Sequence, residues 1–129
     1  MMHDLLNDAI SNIRNSERIG EGVCNVKPAS KLLLEVLKVF QKEGYIGEIE
    51  VSNQPAGGTI RVTLKKQIND CGVIKPRFAV KNDDFTKWEK RFLPSRDFGV
   101  LVMSTPKGVM DHKTAKGNGL GGRLLAYVY

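Results

Sequence analysis

Two kinds of hydrophobic periodicity alternate along the first 64 residues, and this alternation limits the folds open to the chain. Apolar residues recur at helical spacing in residues 4–15 and again from Leu33 to Phe40, which predicts two amphipathic helices. Short strand-like segments occur three times, at Val23–Val26, 46–51 and Thr59–Leu64. The predicted order is therefore α-β-α-β-β.

Turn and cap residues support these boundaries. Asp4 and Ser30 are suitable N-cap residues, and Gly44 is a suitable C-terminal stop. The segment Pro55-Ala56-Gly57-Gly58 predicts the turn of a β-hairpin with one half-buried face.

The second half is predicted to be mostly β with short helices. Residues 72–80 look extended apart from Pro76, 98–103 predict a central apolar strand, and 123–129 predict a last strand. Asp84 and Asp111 are the expected N-caps of two short helices. Turn residues at 69–72 suggest two small mixed subdomains, residues 1–70 and 71–129. Because there is no repeating βαβ rhythm, the predicted class is α+β.

The net charge of +6 favours a polyanionic partner, either a nucleic acid or an anionic membrane surface. Residues 75–98 and 99–129 each carry an excess of three positive charges, so the positive potential lies mostly in the second half. No apolar run has the length of a membrane span, and no signal peptide is recognised. We expect a cytosolic protein with reduced thiols.

Residue types that support catalysis or metal binding do not form a recognisable pattern. His3 and His112 lack metal-site spacing and are expected at the surface. Cys24 is either a nucleophile or, more commonly for an apolar strand, an inert buried thiol. Residues 117–122 are glycine-rich but match neither a P-loop nor a dinucleotide fingerprint. The prediction is no catalytic residue, no metal and no cofactor.

Two short segments are candidates for contact with anions. Residues 104–108, Ser-Thr-Pro-Lys-Gly, place two small hydroxyls and a lysine after an apolar strand, although an ordinary turn has the same composition. Residues 27–31, Lys-Pro-Ala-Ser-Lys, place two lysines around a helix N-terminus, where unpaired N–H groups attract anions; a solvated cap is the alternative.

Together these motifs resemble the family of small-subunit ribosomal protein number eight. The resemblance rests on residues 104–112 followed by Gly119-Leu120-Gly121-Gly122 and an apolar end, and on the earlier segments 13–15, 28–31 and 43–46. Residues 71–78 and 93–99 are similar to the archaeal and eukaryotic branch. The resemblance covers essentially the whole chain, in order.

The resemblance implies a two-domain α+β protein that binds a helix in the central domain of small-subunit ribosomal RNA and helps organise the platform. Neighbouring small-subunit ribosomal proteins are the other expected partners; a membrane and a small-molecule substrate are not expected. The expected RNA contacts are Lys27, Ser30, Lys31, Ser104, Thr105, Lys107, Gly108, Gly121, Gly122, Arg123 and Tyr127. Tyr127 is placed either against an unpaired base or in the core.

The chain departs from bacterial members of that family at two positions. Pro106 replaces a third hydroxyl, so we carry RNA contact onto Ser104 and Thr105 but not onto Pro106. Arg123 replaces a common acidic residue and adds a candidate phosphate contact. A general RNA- or DNA-binding protein outside the ribosome is the alternative. A small transferase using Ser104 is the enzyme alternative, but no base can be paired with that serine.

Overall fold

The computed structural model describes residues 5–27, 30–52, 58–81, 83–95 and 98–129. The first half contains two helices and three strands in the predicted order: α1 Leu5–Ile19, β1 Val23–Val26, α2 Lys31–Lys42, β2 Ile46–Ser52 and β3 Thr59–Leu64. The second half contains β4 Cys71–Val73, β5 Ala79–Val80, α3 Phe85–Phe92, β6 Val100–Thr105, β7 Gly108–Asp111, α4 His112–Gly117 and β8 Gly122–Val128. The predicted α+β class is confirmed.

The ends of α2 and α4 follow the predicted chemistry. The Ser30 hydroxyl accepts a hydrogen bond from the backbone N–H of Leu33 at 3.1 Å. Gly44, which follows the C-cap residue Glu43 of α2, has a φ of +82°, a conformation that glycine adopts without steric cost. Asp111 caps α4 by accepting from the Thr114 N–H at 3.1 Å. The predicted Asp4 cap and most of the predicted 55–58 turn lie outside the described residues.

The prediction that Asp84 caps α3 is wrong in its chemistry. Asp84 occupies the N-cap position, but its side chain makes no capping hydrogen bond. Its backbone, at φ −103° and ψ 10°, is not in the extended conformation that aims a capping side chain at the first free N–H groups.

The strands form two antiparallel sheets. The first has the order β1-β3-β2, so the cleanly alternating β3 lies in the centre. The second has the order β4-β8-β6-β7, with β5 also paired to β8. Strand β6 is interior, as the apolar run predicted, but it begins at Val100 and continues through Thr105.

The second sheet separates two hydrophobic cores. Val100 and Val102 of β6 face a core shared with α1, α2 and the first sheet. Leu101 and Met103 face a second core, which contains residues of α3 and α4. We call the first side the front face and the second side the back face. The two sheets divide at residues 65–70, but because the front core contains residues of both halves, separate subdomains stay a prediction.

Candidate nucleic-acid interface

Ser104 and Thr105 are the last two residues of β6, not part of the loop that the sequence predicted. They pair with Val109 and Gly108 of β7, a strand that sequence analysis missed. The turn between these strands consists of Pro106 and Lys107 only. In the four-residue turn 105–108, proline is the second residue and glycine the fourth, and both residue types are favoured at these positions of a type I turn. The sequence of β7, Gly-Val-Met-Asp at 108–111, shows no apolar–polar alternation that would predict a strand.

The two hydroxyls of this hairpin have different surroundings. Thr105 is buried; its hydroxyl donates to the Gly108 carbonyl at 2.8 Å and accepts from the Lys107 N–H at 3.2 Å. That hydroxyl therefore holds the turn together. Ser104 is exposed, and its hydroxyl has no hydrogen-bond partner in the part of the chain that the structure describes. Of the two, Ser104 is the one available to a ligand.

Ser104 and Arg123 are direct cross-strand partners on β6 and β8. Both side chains are exposed. Val109, which pairs with Ser104 from the other side, packs against the front core, so this row lies on the front face. The Arg123 Nη1 atom also donates to the Arg77 carbonyl at 3.3 Å, which anchors the guanidinium at the rim of the sheet.

Gly122 permits this pairing for a steric reason. A Cβ atom at Gly122 would collide with the backbone carbonyl of Ser104. The glycine-rich bend thus lets β8 approach β6 closely. Gly121 and Gly122 also line a groove that contains Asp83 and Asp84, so this rim is not uniformly positive.

The N-terminal candidates lie at the start of α2. Lys27 and Lys31 are exposed, while the Ser30 hydroxyl accepts the capping hydrogen bond. Pro28 and Ala29 lie outside the described residues. Both lysines are therefore exposed on either side of a capped helix start, and anion contact there stays a prediction.

A cleft between α2 and β7 adjoins the candidates of the hairpin. It is lined by Glu35, which is one turn beyond Lys31, by Lys107 and Gly108 of the hairpin, and by two lysines that sequence analysis missed, Lys38 and Lys42. These lysines follow Lys31 by seven and eleven residues, a helical spacing that places all three on one side of α2 and could have identified them.

Asp111 also lines this cleft, but it is buried and has a structural role. Burial works to raise the pKa of its carboxyl, but hydrogen bonds from Thr114 and the positive charge of Lys42 outweigh burial, so the pKa is lowered. The Thr114 hydroxyl donates to this carboxylate at 2.6 Å. The ionised Asp111 therefore joins β7 to α4 and balances part of the lysine charge.

Tyr127 is on the other side of the sheet. Its ring packs against the back core, between Phe92 at 5.9 Å and Tyr129 at 6.1 Å between ring centroids. The structure therefore brings Ser104, Gly121, Gly122 and Arg123 together but not Tyr127. RNA contact by Tyr127 stays a prediction.

His112 is buried, so the prediction of a surface histidine is wrong. It is 1% exposed because it begins α4 with its ring turned into the back core. Its Nδ1 accepts from the Leu101 N–H at 3.0 Å. Burial lowers the pKa of His112 and so favours the neutral imidazole. The Glu89 carboxylate works in the opposite direction but does not outweigh burial. His3 lies outside the described residues.

Both thiols are buried and free. Burial raises the pKa of Cys24, and burial together with the Asp70 carboxylate raises the pKa of Cys71 to about 12. Thiolate is the reactive form, so neither residue is placed as a nucleophile. Within the described ranges, no three His, Cys, Asp or Glu side chains are arranged to hold a metal ion.

The family model described as Ribosomal protein S8 matches residues 4–129. The chain belongs to the ribosomal protein S8 family. It is therefore a protein of the small ribosomal subunit, a ribonucleoprotein component of translation that binds ribosomal RNA. S8 proteins are structural proteins of the ribosome rather than enzymes. None of the described helices combines the length and the apolar character needed to cross a membrane.

Proposed function

We propose that this S8-family protein is a primary binder of a helix in the central domain of small-subunit ribosomal RNA and helps organise the platform of that subunit. The observation that carries the proposal is the exposed Ser104–Arg123 pair at the rim of the front face. This pair combines a small hydroxyl with a guanidinium. The turn between β6 and β7 adds the exposed Lys107 close by.

This combination suits the surface of double-helical RNA. An A-form helix has a wide, shallow minor groove that presents 2′-hydroxyls and phosphates. A serine hydroxyl both donates and accepts, so Ser104 can pair with a 2′-hydroxyl. Arg123 can bind a phosphate with two N–H groups. Gly121 and Gly122 have no side chains, so the RNA can approach their backbone groups closely.

The lysines extend this contact along the duplex. Lys107 at the turn, Lys38 and Lys42 in the cleft, and Lys31 at the start of α2 give positive charge on both sides of the α2–β7 cleft. Each phosphate neutralised releases counterions, which makes the affinity depend on salt. We propose that Lys27, Ser30 and Lys31 contact a neighbouring part of the same RNA.

The finer features of the function are part of the same proposal. We place the protein in cytoplasmic ribosomes, beside other small-subunit ribosomal proteins, with neither a catalytic role nor a small-molecule substrate. We also propose that the protein is an S8 protein of the archaeal or eukaryotic type, on the basis of residues 71–78 and 93–99.

The test is the RNA affinity of Ser104→Ala/Arg123→Ala at fixed salt, on a fragment carrying the central-domain helix. We expect binding to weaken by about tenfold or more, since each lost hydrogen bond contributes about 1 kcal/mol and those to charged groups contribute more. The control is Arg61→Ala/Lys65→Ala, which removes exposed charge from the first half. Equal affinity of the parent for duplex DNA of similar length would instead support a general nucleic-acid binder.

A further inference from the structure

The back face carries a second group of positive charges, which the proposed RNA contacts do not use. Lys87, Lys90 and Arg91 of α3 are all exposed. Their spacing of three and four residues places them on one side of the helix. Within the described ranges, none of the three lies within salt-bridge distance of a carboxylate.

The one acidic residue of α3 is turned away from that side. The Oε1 atom of Glu89 lies 3.4 Å from Nε2 of the buried His112, and the Glu89 side chain is 12% exposed. Because His112 Nδ1 accepts from the Leu101 N–H, the neutral imidazole carries its proton on Nε2, the ring nitrogen beside this carboxylate. The outward-facing charges of α3 are therefore all positive.

Aromatic rings hold two of these cations in place. The Arg91 guanidinium lies 4.9 Å, 5.6 Å and 5.4 Å from the ring centroids of Phe78, Trp88 and Phe92. The Lys87 ammonium lies 5.1 Å from the ring centroid of Trp88. Cation–π contacts restrain the side chain while its outward N–H groups remain free to bind an acceptor. Less side-chain freedom is then lost on binding.

Helix stability alone does not explain this arrangement. The helix dipole favours Lys90 and Arg91, which are in the last turn. It disfavours Lys87, the third residue of α3, because free N–H groups already make that end positive. Asp83 and Asp84 precede the helix, but neither is within salt-bridge distance of Lys87. The Trp88 ring gives Lys87 one favourable contact against this dipole, and a bound anion would add a second.

We propose that Lys87, Lys90 and Arg91 bind the phosphates of a second RNA segment, so that the protein bridges two parts of the small-subunit RNA from opposite faces of one sheet. The inference rests on the proposed function of the front face. Charge complementarity selects the partner: cations without a carboxylate, spaced along one helix side, match the phosphates of a nucleic-acid strand. On the same back face, α4 adds exposed Lys113 and Lys116.

The test compares two RNAs, the central-domain helix fragment and the complete small-subunit ribosomal RNA. Lys87→Ala/Lys90→Ala removes two cations and leaves the ring-stacked Arg91 in place. On the fragment we expect affinity within about twofold of the parent. On the complete RNA the slope of log affinity against log salt should fall by about 1 to 2, roughly one per lost phosphate contact.

The control Arg61→Ala/Lys65→Ala loses the same charge and should keep the parent slope on both RNAs. Melting curves must show all variants folded. The bridging proposal would be overturned if the α3 variant kept the parent's salt slope on the complete RNA, or if the control lost as much slope as the α3 variant. Either result would leave the proposed function of the front face standing. If the parent does not bind the fragment, the proposed function fails first and bridging fails with it.

A photoreactive residue at position 87, introduced into assembled small subunits, identifies the partner directly. Attachment to RNA supports the proposal. Attachment to an acidic protein segment, or no attachment, overturns it.

Discussion

Asp70 and Tyr129 are bound to each other through both backbone and side chain. The Asp70 N–H donates to the Tyr129 carbonyl at 3.0 Å, the Tyr129 N–H donates back at 2.9 Å, and the Tyr129 hydroxyl lies 3.4 Å from the Asp70 carboxylate. The same carboxylate accepts from the Cys71 N–H at 3.0 Å and lies 3.9 Å from Arg14 of α1. One residue between the two sheets therefore joins α1 to the last residue of the chain.

Asp70→Ala should destabilise the protein without removing any proposed RNA contact. The change removes the acceptor of the Cys71 N–H and the carboxylate that forms an ion pair with Arg14, which should lower the free energy of unfolding by about 1–3 kcal/mol. Urea denaturation measures this effect. Glu48→Ala, at an exposed position of β2, is the control and should change stability by less than about 0.5 kcal/mol. An Asp70 variant as stable as the parent would mean that this junction is not a structural joint.

Gly122→Ala should disturb both the fold and the front face. The added methyl group meets the Ser104 carbonyl, a backbone group that moves only if the β6–β8 pairing shifts. We expect a loss of about 1–3 kcal/mol in stability, with weaker RNA binding at temperatures where the variant remains folded. The matched control is Gly117→Ala, where an added Cβ meets nothing within 4 Å. Similar melting temperatures for both variants would contradict the steric role of Gly122.

Thr105 and Ser104 should separate stability from affinity. Thr105→Ala removes the hydroxyl that bonds both Lys107 and Gly108, and should lower stability by about 1 kcal/mol. Thr105→Ser keeps that hydroxyl and should lose less. Ser104→Ala should leave the melting temperature nearly unchanged while weakening RNA binding. If Ser104→Ala lowers stability as much as Thr105→Ala, the division of roles within this hairpin is wrong.

The neutral His112 should make stability depend on pH. Burial lowers its pKa below the ordinary 6.5, so as pH falls the unfolded chain takes up a proton at this residue before the folded protein does. The free energy of unfolding should therefore decrease from about pH 6.5 downwards. His112→Gln removes this titration, and its stability should change less than the parent's between about pH 7 and pH 5. Parallel pH profiles would show that His112 titrates normally in the folded state.

Local periodicity predicted most of the fold. Alternation in Thr59–Leu64 and the helical spacing of Leu33, Val36, Leu37 and Phe40 led to correct elements, because each pattern is set by one buried face. Strand β7 was missed because Gly-Val-Met-Asp at 108–111 lacks the apolar–polar alternation that identified Val23–Val26. His112 was misplaced because its burial depends on Glu89 and Leu101, which sequence spacing does not bring near it.

The candidate site was predictable in part. Gly121-Gly122 and the Ser104-Thr105 pair were recognised as motifs, but their meeting through the Ser104–Arg123 register depends on strand pairing between distant segments. The same limit hid the cleft that places Lys38 and Lys42 beside Lys107. Tyr127 was predicted either to stack on RNA or to lie in the core, and its back-face position opposite Leu101 follows from the register of β6 with β8, which spacing along the chain does not give.

Crosslinking the protein to RNA in cells, followed by sequencing of the attached RNA, tests the central claim most directly. The Ser104–Arg123 rim and the neighbouring lysines should place the crosslinks on a helix in the central domain of small-subunit ribosomal RNA. Replacing Ser104 and Arg123 by alanine should reduce those crosslinks selectively. Crosslinks spread over unrelated transcripts, with the central domain no more frequent than other RNA, would contradict the account.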